Sequence, residues 1–172
     1  MSVNEDYKIY SFPPVSNENS RILILGTMPG PISIQTGEYY ANPGNCFWEF
    51  ISKLRSPYVT NDYASKIKML KDNQIAIWDV LKHCERKSGL DSDIKAEYPN
   101  DFVKFFVEHK NLRAIFFNGT KAKGFYKRYI GFDNKYEYAV LPSTSPTPGK
   151  NVKSKEAKYV EWKKILNHIA TY

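Results

Sequence analysis

The sequence predicts an α/β fold: a three-layer α/β/α sandwich around a central four-stranded, mostly parallel sheet. Three observations predict it. Four short apolar runs, at residues 22–25, 74–78, 114–117 and 138–141, have the length and composition of buried strands. Between them lie segments with apolar residues at helical spacing, and strands that alternate with helices favour a parallel sheet covered on both faces. Each run also ends in polar or special residues, at Gly26, Asp79, Asn118 and Ser143. Parallel strands deliver such ends to one edge of the sheet, where open α/β sheets bind ligands.

Residues 1–20 are polar, with Pro13-Pro14 and Ser/Asn clusters, and read as an extended lead-in. Ile22-Leu23-Ile24-Leu25 is the first strand, closed by Gly26. Thr27-Met28-Pro29-Gly30-Pro31 reads as an irregular loop, because the prolines remove backbone donors and glycine permits unusual dihedrals. A helix starts near Asn45, with Phe47, Phe50, Ile51 and Leu54 on its apolar face, and Ser56-Pro57 ends it. A second helix is expected over 61–72, then the strand Gln74–Trp78 with Asp79 at its C-terminal end.

The stretch from Cys84 to Asn100 is charged and reads as an irregular connection able to line a cleft. Asn100 or Asp101 can cap a helix carrying Phe102, Val103, Phe105 and Phe106. Ala114–Phe117 is the third strand, and Asn118-Gly119-Thr120 leads into a helix near 120–130. Tyr138–Leu141 is the fourth, running into Pro142-Ser143-Thr144-Ser145-Pro146. A last helix, about 154–170, puts Trp162, Ile165, Leu166 and Ile169 on one face. With no internal repeat and no linker, 1–172 reads as a single domain.

At 172 residues and 42% hydrophobic composition, the chain can bury a core without disulfides or metal. No apolar run approaches the roughly 18 residues that span a bilayer. Met1 to Pro14 lacks the basic and apolar regions of an export signal, so an intracellular, cytoplasmic protein without membrane attachment is expected. Cys46 and Cys84 are too few for a four-cysteine metal site and fit buried thiols in a reducing compartment. The three histidines show no ligand spacing, so neither metal nor cofactor is expected. They read as surface or partly buried residues. Net charge is +7, from 25 Lys and Arg against 18 Asp and Glu, which suits a polyanionic partner such as DNA. Lys121, Lys123, Lys127, Arg128, Lys150, Lys153 and Lys155 crowd the part of the chain that flanks the Ser-Thr-Ser loop.

Gly26-Thr27-Met28-Pro29-Gly30, followed by Gly37-Glu38-Tyr39-Tyr40-Ala41-Asn42-Pro43-Gly44-Asn45-Cys46-Phe47-Trp48, resembles the first motif of the uracil-DNA glycosylase superfamily. Three further pieces match in order. They are Ile77-Trp78-Asp79-Val80-Leu81 with Gly89-Leu90-Asp91-Ser92, then Phe117-Asn118-Gly119 with Ala122, then Leu141-Pro142-Ser143-Thr144-Ser145-Pro146. The resemblance is to the hypoxanthine-DNA (deoxyinosine) branch, with the mismatch-specific uracil/thymine branch as a neighbour. It implies a monomeric, monofunctional enzyme that hydrolyses the N-glycosidic bond of a deaminated base, hypoxanthine first and uracil second. The substrate would be single- or double-stranded DNA, and the product an abasic site in an uncut strand.

The resemblance also implies roles. Where better-known branches carry a water-positioning Asp or Asn in the first motif, this chain has Met28, and Asn45 of the later Pro-x-Asn element takes that role. An amide orients water rather than deprotonating it. Tyr40 aligns with the aromatic that stacks on the extruded base, while Tyr39 reads as core packing. Gly26, Met28 and Pro29 would shape the base pocket; Asp79 and Asn118 would face the base edge. Ser143 would hydrogen-bond the departing base, Ser143, Thr144 and Ser145 would grip phosphate, and Pro146 would wedge into the gap left by the flipped nucleotide. Lys121, Lys123, Lys150 and Lys153 would meet the DNA backbone.

Plain structural alternatives stand beside these. Asn45 can simply cap its helix, Asp79 can cap a turn after its strand, and Asn118 can be a turn residue. Three departures bear on activity and substrate preference: Met28, Ser143 in place of the His or Asn that opens the second motif elsewhere, and Asn42-Pro43-Gly44-Asn45 where His-Pro-Arg-Asn is common in the branch. A different class of function is therefore kept open, a non-catalytic module that uses the same fold to grip DNA or a nucleotide.

Overall fold

The computed structural model describes residues 7–55 and 61–169. Ser56-Pro57, expected to end a helix, lies outside the described residues, as do positions 1–6 and the last three. Four strands, β2 (Ile22–Gly26), β3 (Ile75–Asp79), β6 (Ala114–Asn118) and β7 (Glu137–Leu141), form one sheet in the order β3-β2-β6-β7. All three pairings are parallel, as the alternation of apolar runs and helices predicts.

Period-two alternation gives each strand two buried faces. Ile22, Ile24, Ile75, Ile77 and Phe116 pack on one side against Phe50 and Ile51 of α2 (Phe47–Arg55), Met69 and Leu70 of α3 (Tyr63–Asp72) and Trp162 of α6 (Lys155–Trp162). Leu23, Leu25, Trp78, Ile115 and Phe117 pack on the other against Phe102 and Phe105 of α4 (Phe102–Glu108) and Phe125 and Tyr126 of α5 (Thr120–Tyr129). The helix layers on the two faces make the three-layer sandwich. Asp101 caps α4, its side chain accepting from Lys104 N at 3.0 Å.

Six features differ from the sequence expectation. The stretch from Cys84 to Asn100 is not an irregular connection: β4 (Leu81–Glu85) and β5 (Lys95–Pro99) pair antiparallel, and with β1 (Lys8–Tyr10) they form a second sheet in the order β1-β4-β5. The lead-in is correspondingly anchored, and Val15 also bridges Ile77 on the outer edge of β3. The Pro/Gly loop contains a short helix, α1 (Pro31–Thr36), with proline at its start, where a missing N–H costs nothing. The last helix changes to a 3-10 turn over Lys163–His168. Boundaries also shift slightly: β3 starts at Ile75 because Gln74 adopts φ 63°, a left-handed turn that closes α3. His109 is more deeply buried than the surface or partly buried position expected, its ring held between Phe105 O and Ser16 Oγ.

Candidate active site

Because the four sheet strands run parallel, their C-terminal ends open together. Gly26, Asp79, Asn118 and Ser143 all line one cleft of about 520 Å³, joined by Met28, Pro29, Tyr40, Asn45, Thr144, Ser145 and Pro146. That size suits a small ligand. The connection between β4 and β5 completes the cleft: Arg86, Gly89, Leu90, Asp91 and Ser92 also line it.

The floor is the contact between Gly26 and Asp79, which are paired across β2 and β3. A Cβ on Gly26 would come within 2.6 Å of Asp79 Oδ1 and 3.3 Å of Tyr40 Oη, so only glycine lets both groups sit there. The Asp79 backbone is pinned as well, its carbonyl accepting from Asn100 Nδ2 at 2.8 Å. Asp79 is 4% exposed, and its Oδ2 has no hydrogen-bond partner among the described residues. Burial, reinforced by the nearby Asp91 carboxylate and opposed by the Arg86 guanidinium, pushes its pKa up to about 7. The Tyr40 hydroxyl is likewise buried with no well-formed hydrogen bond among the described residues; burial together with the Asp79 charge raises its pKa, and the nearby Asn118 amide opposes the shift. Two unsatisfied polar atoms at the bottom of a cleft are what a bound polar ligand would satisfy.

The walls are tied to one another. Tyr40 has φ 53°, and its ring stacks on Phe47 with centroids 4.0 Å apart. Tyr39 turns into the core, its hydroxyl donating to Pro13 O at 2.8 Å, which matches the packing role expected for it. Asn45 Oδ1 accepts from Phe47 N at 3.0 Å, so the cap reading of Asn45 is real. Its carbonyl keeps a second lone pair and its amide N–H groups remain available to the cleft. Arg86, nearly fully buried, donates to Pro29 O at 2.7 Å and faces Asp91 at 3.9 Å, locking the second sheet to the first loop.

The loop after β7 is held by Asn118 and Thr144. Asn118 Nδ2 donates to Thr144 Oγ1 and Thr144 N donates to Asn118 Oδ1, both at 2.9 Å. Cys46 N donates to Thr144 O at 3.1 Å, and Pro146 packs directly over Gly44. The expectation that Thr144 grips DNA is therefore corrected: it is 1% exposed, and its hydroxyl, N–H and carbonyl are all committed to the protein. Asn118 commits one amide N–H and one carbonyl lone pair to this clasp and keeps a second N–H while lining the cleft. Ser143 and Pro146 are exposed, and Ser145 is half-buried.

Ser143 Oγ accepts from Ser145 N at 3.2 Å. No histidine lines the cleft, so these serines have no histidine base beside them. Nor does a lysine line it. Lys121 and Lys123 lie on the first turns of α5, Lys150 is exposed and Lys153 pairs with Glu161, all outside the cleft wall. Arg86 was not singled out by the sequence reading. The Gly89-Leu90-Asp91-Ser92 match was the signal that pointed to its neighbourhood.

Comparison with known proteins bears on this cleft. The family model described as "Uracil DNA glycosylase superfamily" matches residues 13–170. A protein from Methanosarcina acetivorans named hypoxanthine DNA glycosylase is 39% identical over 158 residues, 91% of this chain and 97% of that one. A protein of the same name from Methanosarcina barkeri is 35% identical over 158 residues, 90% and 97% of the two chains. A solution NMR structure from M. acetivorans, described as a candidate uracil DNA glycosylase, superposes with a TM-score of 0.77 at 38% identity. The superposition covers 94% of this chain and 98% of that one. With the family model spanning both glycine-rich first motif and Ser-Thr-Ser loop, the chain belongs to the uracil-DNA glycosylase superfamily, a family of hydrolases.

Proposed function

We propose that the protein is a monofunctional DNA glycosylase that flips a deaminated base into this cleft and hydrolyses its glycosidic bond. Hypoxanthine is the preferred base and uracil the second. The observation that carries this reading is the convergence of Tyr40, Asn45 and Asp79 on one cleft at the C-terminal ends of parallel strands. The name carried by both Methanosarcina relatives supports the choice of base.

The flipped base stacks on the Tyr40 ring, which Phe47 backs from behind. Asn45 uses the free lone pair of its carbonyl and its amide N–H to hold a water below the sugar, while the other lone pair caps α2. Bond cleavage runs ahead of water attack, so the site must mainly stabilise an oxocarbenium-like sugar and a departing base anion. Ser143 reaches the base or its sugar, and Ser145 with backbone groups meets a flanking phosphate. Pro146, packed over Gly44, fills the space the nucleotide vacates. Lys121, Lys123 and Lys150 add attraction for the DNA backbone around the cleft. The substrate is intracellular DNA, and the two buried free cysteines suit a reducing compartment.

A cleft lining without lysine supports direct hydrolysis by water, with no covalent Schiff base. A deoxyinosine oligonucleotide treated with the protein should therefore stay full-length until heated in alkali, and borohydride should trap no adduct. A borohydride-trapped protein–DNA complex would contradict the monofunctional reading.

A further inference from the structure

We propose that Asp79 meets the flipped base as an uncharged carboxylic acid, donating a hydrogen bond to the oxo group that deamination leaves on the base. The proposal rests on the glycosylase reading of this cleft and names the group that receives the leaving base's charge. The geometry argues for it in three ways. Asp79 Oδ2 is buried with no hydrogen-bond donor on it among the described residues, and a buried carboxylate without hydrogen bonds is strongly disfavoured. Gly26 is the residue that lets the carboxyl approach the floor at all, since any Cβ there would collide with Oδ1. Tyr40 Oη, the other unsatisfied atom on that floor, can supply at most a neutral hydroxyl.

The groups around Asp79 fix the sign of its ionisation. Asp91, from the turn after β4, opposes its charge, and Arg86 of the segment following β4 favours it. Tyr39 and Tyr40 face it from the loop after α1, and both feel its charge as a penalty on their own ionisation. From α4's side it receives only the Asn100 amide, bonded to its backbone carbonyl and not to its carboxyl. Burial is the largest influence, which favours the acid form near neutrality.

Deaminated bases all carry a ring N–H beside a carbonyl. An ionised aspartate accepts from the N–H but repels the neighbouring carbonyl; a carboxylic acid accepts from one and donates to the other. As the C1′–N bond breaks, its electron pair passes into the base and builds charge on that oxo group, so the donated hydrogen bond strengthens in the transition state. Water adds to C1′ and gives up one proton, the base leaves having gained one, and Asp79 ends reprotonated. A buried acid in this place fills the gap left by Ser143, too weak a donor to hold the leaving group alone.

The test is single-turnover excision of hypoxanthine from a deoxyinosine duplex between about pH 5.5 and 9, with folding checked by thermal melts. Wild-type rates should fall with rising pH, about tenfold per unit once the acid ionises. Asp79→Asn, which keeps an acceptor and a donor but cannot titrate, should stay active with a flat profile, while Asp79→Ala should lose about a hundredfold at every pH. Asp91→Asn, by removing the nearest negative charge, should shift the wild-type fall to lower pH. A rate that rises with pH over this range, or an Asp79→Asn variant as dead as Asp79→Ala while folded, overturns the proposal but leaves the glycosylase reading intact. No base release by wild type at any pH overturns both.

Discussion

Asn45→Ala should lose about a hundredfold or more of its base excision, near 3 kcal/mol of barrier, while still binding DNA. The same substitution should also cost about 1 kcal/mol of stability, because Asn45 Oδ1 caps the N-terminus of α2 through Phe47 N. The two effects are separable. Asn45→Asp keeps a good cap acceptor, so it should melt with wild type. It also places a charge where the proposed mechanism has the amide hold water, so its excision should change. If the cap were the whole role of Asn45, excision per folded molecule would be unchanged in Asn45→Ala well below its melting temperature. Single-turnover excision measured beside a thermal melt distinguishes the cases.

Gly26→Ala should be nearly as damaging, although it adds one methyl group. The new Cβ would stand 2.6 Å from Asp79 Oδ1 and 3.3 Å from Tyr40 Oη. Neither neighbour can yield cheaply: Asp79 is short, buried and held by the β2–β3 ladder, and the Tyr40 ring is stacked on Phe47. Overpacking of this kind costs about 1–3 kcal/mol. Displacing both groups proposed to meet the base should also cut excision about a hundredfold. Gly124→Ala is the control, since nothing lies within 4 Å of its added Cβ. There, in the middle of α5, the substitution should be neutral or stabilise by about 0.5–1 kcal/mol. Urea unfolding and excision measured on both variants test this; a Gly26→Ala variant with wild-type activity would show that Asp79 and Tyr40 need not sit where they do.

The central sheet was legible because its strands are buried on both faces, and such strands announce themselves as continuous apolar runs such as Ile22–Leu25 and Ile75–Trp78. Their parallel arrangement then dictated the cleft, and with it the meeting of Gly26, Asp79, Asn118 and Ser143. The second sheet was not legible for the opposite reason. Lys82, Lys95 and Tyr98 are solvent-exposed, and β1 has three residues, so hydrogen bonds rather than an apolar pattern define these strands. Thr144 shows a subtler failure. Its residue type suits a ligand contact, but hydrogen bonds to Asn118 across 26 positions of sequence turn it into a clasp that only the fold reveals. Arg86 lay in a charged stretch whose pattern gave no hint that one guanidinium would be buried against Pro29.

The most direct measurement is release of free base from oligonucleotides carrying hypoxanthine, uracil, xanthine or undamaged adenine, quantified with the wild-type protein. The account predicts release of hypoxanthine fastest, uracil more slowly and adenine not at all, each excision leaving an abasic site in an intact strand. Tight binding to the same oligonucleotides with no base released from any of them would contradict it, and would mark the cleft as a DNA-gripping module instead of an enzyme's active site.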